Sequence, residues 1–118
     1  MKVTMEQLLM MRQPLSKLMG KDLDALTSFE LEGLTEEIQK ELIKFGKVRD
    51  KLVEKYGTAG EDGVKRVGKT KEEEYSKEIQ SLADEEIEVK GKKIKISNLK
   101  GVQLSINDIT ALKPILEK

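Results

Sequence analysis

Between Thr27 and Tyr56 the apolar residues Leu31, Leu34, Ile38, Leu42, Phe45, Val48, Leu52 and Tyr56 recur at steps of three and four, separated mostly by charged residues. That spacing puts them on one stripe of a 3.6-residue period, so the segment predicts a single amphipathic helix of roughly 40 Å. Thr27 with Glu30 forms a capping-box pair at its start, and Gly57 is a stop signal at its end. Gly33 and Gly46 each cost about 1 kcal/mol against alanine inside a helix. Gly33 therefore leaves Thr35 as an alternative start, and Gly46 marks a close helix crossing or a bend.

Upstream, Thr4 and Gln7 make another capping box, and Met5, Leu8, Met11, Leu15, Leu18 and Met19 supply an apolar face. Gly20 suits a left-handed C-terminal cap. Pro14 lacks an N–H and clashes with the preceding turn, which predicts a kink over 10–13 or two short helices. The polar run KDLDAL, residues 21–26, reads as the connection to the long helix.

After Tyr56 the glycine-rich stretch 57–68 predicts a loop or a loose hairpin around Glu61-Asp62-Gly63. Gly63 to Thr70 matches the letters of a phosphate-binding loop, but no buried strand precedes it. It reads instead as a loop ending in a Thr70 cap with Glu73 as partner, followed by a helix from Lys71 to Ala83 carrying Tyr75, Ile79 and Leu82. The period then changes to two: Ile87 and Val89, then Ile94 and Ile96, alternate with charged residues and predict a β-hairpin turning at 90–92. Ser105 with Asp108 opens a last helix bearing Ile106, Ile109, Leu112 and Leu116, shortened by Pro114. The predicted fold is α+β and mostly helical, one domain over 1–118. An antiparallel helical hairpin with a long central helix is followed by a C-terminal β-hairpin and a short final helix.

Composition narrows the chemistry. The chain has 22 basic and 22 acidic residues, no cysteine and no histidine. A zero net charge gives no general attraction to nucleic acid or anionic membrane. Without cysteine or histidine there is no disulfide, no thiolate or imidazole ligand, and no His-based general base or triad. Asp22 and Asp24, with Glu36 and Glu37, are the carboxylates that a Mg²⁺-dependent reaction would use; as a lone pair the two aspartates read as loop or cap residues. No catalytic residue, cofactor or metal site is predicted. With no signal peptide or membrane-length apolar run, the expected location is cytoplasmic.

The segments RDKLVEKYG (Arg49 to Gly57), EIEVK (Glu86 to Lys90) and LSINDITALKPIL (Leu104 to Leu116), in this order of elements, resemble a family of small phage and prophage proteins of Gram-positive bacteria. The resemblance implies a phage-encoded accessory protein in the host cytoplasm or virion and carries over no catalytic residues. Where that family has an acidic stretch before the final helix, this chain has lysines. The predicted function is binding rather than catalysis: self-association, coiled-coil fashion, and contact with a host or virion protein through Leu42, Phe45, Gly46, Val48, Leu52 and Tyr56. One alternative is an oligomer that holds a small phosphorylated ligand with the loop 57–69 and lysines. Another is nucleic-acid binding through Lys90, Lys92, Lys93, Lys95 and Lys100, which the absence of interleaved aromatics and arginine disfavours.

Overall fold

Thr4 ends a strand and starts a helix. The computed structural model describes residues 1–118, and its first elements are β1 (Lys2–Thr4) and α1 (Met5–Met19). Thr4 N–H donates to Gln7 Oε1 at 2.8 Å while Gln7 N–H donates to Thr4 Oγ1 at 3.2 Å, closing the predicted capping box. Met5, Leu8, Met11, Leu15 and Leu18 are buried at helical spacing. Pro14 does not split the helix: α1 is one element of 15 residues with Pro14 inside it, its lost backbone bond offset by a buried ring. Gly20 caps the end at φ −88°, so the predicted left-handed cap is not used. Met19, assigned to the apolar face, is exposed.

Helix α2 (Ala25–Tyr56) contains 32 residues and begins before both predicted starts. Its N-cap is Asp24, whose carboxylate accepts from Thr27 N–H at 3.0 Å and from Thr27 Oγ1 at 2.7 Å. Thr27 is therefore a first-turn residue held by the cap, and Gly33 lies well inside the helix. Leu31, Leu34, Ile38 and Phe45 enter the core. Leu18 and Met19 share a groove with Leu31 and Thr35, while Leu9 and Arg12 lie beside Leu42 and Phe45, so α1 and α2 form the predicted antiparallel hairpin.

Gly57 ends α2 in an extended conformation, and a Cβ there would collide with the Val53 carbonyl oxygen, so the position requires glycine. The chain then makes the hairpin β2 (Gly57–Ala59) and β3 (Lys65–Val67), turning through Gly63 at φ +76°. Helix α3 (Glu72–Ala83) follows. Its N-cap is Lys71, not Thr70, and it makes no side-chain capping bond; the turn closed by Lys71 N–H on the Gly68 carbonyl already encloses Thr70.

The predicted C-terminal hairpin does not form. Strand β4 (Glu86–Glu88) pairs antiparallel with β1, Val3 opposite Ile87, and β5 (Ile94–Lys95) pairs parallel with β6 (Leu116–Glu117), Ile94 opposite Leu116. Alternation identified extended chain but not its partner, because both faces of each pairing are chosen by the helical core. Ile96 belongs to a 3₁₀ turn, Ile96–Leu99, and is exposed. The final helix α4 (Ile106–Leu112) carries the predicted Ser105–Asp108 capping box, and a 3₁₀ turn containing Pro114 ends it before Leu116.

One apolar cluster joins α1, α2, α4 and the strands β1, β4, β5 and β6, with Leu8, Met11, Leu34 and Leu112 fully enclosed. It covers α2 only as far as Phe45. A helix of 32 residues is about 48 Å long, matching the 50 Å long axis of the molecule. The radius of gyration of 17.3 Å exceeds the roughly 13.5 Å of a compact chain of this length. No residue from Gly46 to Leu82 is fully buried; α3 and the β2–β3 hairpin flank the distal half of α2 there.

Gly91 tests how tightly the core is closed. Its φ is +141°, and an added Cβ would lie 3.1 Å from Leu34 Cδ1. Gly91→Ala thus adds backbone strain to a close contact and is expected to lower stability by about 1–3 kcal/mol in a denaturant titration.

Candidate functional site

The surface contains a second line of residues that the apolar stripe does not include. Phe29, Gly33, Glu36, Lys40, Ile43 and Lys47 follow one another at steps of four, three, four, three and four, tracing a continuous face along the outside of α2. Phe29 is 77% exposed, Ile43 56%, and Leu26, one turn before Phe29, 67%. A Cβ at Gly33 would meet nothing within 4 Å, so the face is open there. The charges along α2 are segregated: from Ala25 to Gln39 there are four glutamates and no basic residue, and from Lys40 to Tyr56 six basic and three acidic residues. Beside this face a groove of about 480 Å³ opens between the end of α1 and the first half of α2, bordered by Leu18, Met19, Leu23, Leu31, Glu32, Glu36 and Gln39. Thr35, also in its lining and only 7% exposed, has a hydroxyl with no hydrogen-bond partner.

The residues selected for interaction from the first stripe are divided. Phe45 is buried in the core; Leu42, Gly46, Leu52 and Tyr56 are half-buried; Val48 is exposed. Gly46 is no crossing point within the chain, since a Cβ there would meet nothing within 4 Å. The Lys55 ammonium lies 5.0 Å from the Tyr56 ring centre and 3.6 Å from Glu78 Oε1, and these neighbours hold its pKa above the ordinary lysine value.

The five lysines at 90–100 are all exposed but do not share one hairpin face, because β4 and β5 belong to different sheets. Lys92, Lys93 and Lys95 border a cleft with Leu26, Glu30, Asn98 and Glu117; Lys90 and Lys100 lie outside it. The phosphate-loop letters Gly63–Thr70 lead to three glutamates in the first turn of α3, a charge that repels phosphate.

Among the carboxylates, Asp24 is committed to the α2 cap, and Glu37 pairs with Lys40 at 3.3 Å. No group of three or more Asp or Glu side chains is arranged to hold a metal ion. The most constrained acid is Asp108, which joins α4 to α1. Its Oδ2 accepts from Lys17 Nζ at 2.8 Å and from Ser105 N–H at 3.1 Å. The Lys17 bond, then the Ser105 bond, hold its pKa below the ordinary value of 3.8. Asp24 and Asp62 are lowered in the same direction, by Thr27 and by Arg66.

A depressed carboxylate pKa contributes stability above its unfolded value and loses it as pH falls through the lower folded value. Asp108→Asn is therefore expected to unfold at a lower temperature than the parent at pH 7, with the gap narrowing below pH 3.8. A gap independent of pH would show that capping geometry, not charge, joins the two helices.

No protein-family model, curated protein or solved structure matches this chain.

Proposed function

We propose that this protein acts by binding rather than catalysis, and that its first partner is a second copy of itself, docked antiparallel along the outer face of α2. The observation that carries this reading is the run of exposed apolar side chains Leu26, Phe29 and Ile43 along the outside of α2. Exposed aromatic and branched side chains on an otherwise charged surface lower their free energy by leaving water together. The charge order selects the partner and its direction. Two α2 helices side by side in parallel would set glutamates against glutamates; antiparallel, each acidic half meets a basic half. A net charge of zero leaves no overall repulsion between copies. In the accessory role implied by the phage-family resemblance, the dimer presents its remaining surfaces to a host or virion protein.

The apolar contribution rests on a few side chains, so the dimer is expected in the micromolar range and to weaken as salt rises. Sedimentation equilibrium tests it. Phe29→Lys should leave a folded monomer. Glu36→Lys with Glu37→Lys, and separately Lys44→Glu with Lys47→Glu, should each be monomeric alone, and an equimolar mixture of the two should form a heterodimer. A strictly monomeric parent, or charge-reversed variants that associate as the parent does, would overturn the reading.

A further inference from the structure

A different surface has the composition of an anion site. Where β1, α1, β5 and the turn after α4 meet, a cavity of about 640 Å³ is bordered by Lys2, Lys93 and Lys113, with Gln7, Met10 and Pro114 among the other walls. No carboxylate lines it. Ten ion pairs form in the chain, and none of these three lysines takes part in one. The lysines come from positions 2, 93 and 113, three segments that meet through the strand pairings and the packing of α1 on α4. Three unpaired ammonium groups around one concavity repel one another and gain from a shared anion. Gln7 adds a neutral donor: its Oε1 is occupied by Thr4 N–H, leaving both Nε2 protons uncommitted. Met10, 57% exposed, Ala111 and Pro114 add apolar surface to the lining. The volume lies within the roughly 300–1,000 Å³ of small-molecule sites.

We infer that this cavity binds a small phosphorylated organic molecule of mononucleotide size, its phosphates against Lys2, Lys93 and Lys113 and its less polar part against Met10 and Pro114. Of the lysines singled out from the sequence, only Lys93 belongs to it. Lysines serve phosphate as point charges without the bidentate fit of arginine, so affinity depends on the three together and on salt.

ADP, with inorganic phosphate as a second arm, tests the site by amide chemical-shift titration of the full chain. Saturable shifts confined to residues around Lys2, Lys93, Thr110 and Lys113 are expected, with ADP binding more tightly than phosphate. Lys93→Gln with Lys113→Gln should weaken ADP binding about tenfold or more. Lys90→Gln with Lys100→Gln, two exposed lysines outside the cavity, should not change it. All four side chains are exposed, so circular dichroism should show each variant folded. Shifts spread over all lysines without saturation, equal loss in both double variants, or phosphate binding as tightly as ADP would each overturn the inference.

Discussion

The burial of α1 on two sides is the constraint from which the rest of the fold follows. Leu8, Met11, Leu15 and Leu18 lie along one helix of 15 residues, and that helix packs against both α2 and α4. A short helix enclosed in this way has little stability of its own; it is held by what covers it. The chain therefore has to return twice to the same place, once through β4 against β1 and once through α4 and β6, and Lys17 with Asp108 fixes the second return. The strands are short because their task is to tie down the ends of helices, not to build a sheet.

This arrangement explains which features could be read from the sequence. Helices and their caps are local: Thr4 with Gln7 and Ser105 with Asp108 act over three residues, and both were legible. The start of α2 was misread because two capping pairs overlap, and Asp24, which binds both the N–H and the hydroxyl of Thr27, prevails over Thr27 with Glu30. Strand partners are not local. Alternation at Ile87 and Ile94 announces extended chain, but Val3 and Leu116 are their partners only because the core places them there.

The candidate surfaces divide in the same way. The outer face of α2 was available to inspection as a second run of steps of three and four through Phe29 and Ile43, hidden by the stronger inner stripe. The meeting of Lys2, Lys93 and Lys113 was not available, since no spacing connects positions in three separate segments. The lysine run at 90–100 is dense along the chain, yet only Lys92, Lys93 and Lys95 share a cleft, and Lys90 and Lys100 lie outside it.

The uneven cover of α2 gives its two ends different sensitivities to the medium. The first half is fastened by apolar burial, which salt strengthens if it changes it at all. The far end, from Gly46 on, where no residue is fully buried, is braced in part by exposed pairs such as Lys55 with Glu78 and Lys65 with Glu54, which ionic strength screens. Rising salt thus removes what these pairs contribute at the far end while leaving the apolar base intact, so one continuous helix spans two regions that respond differently to the medium.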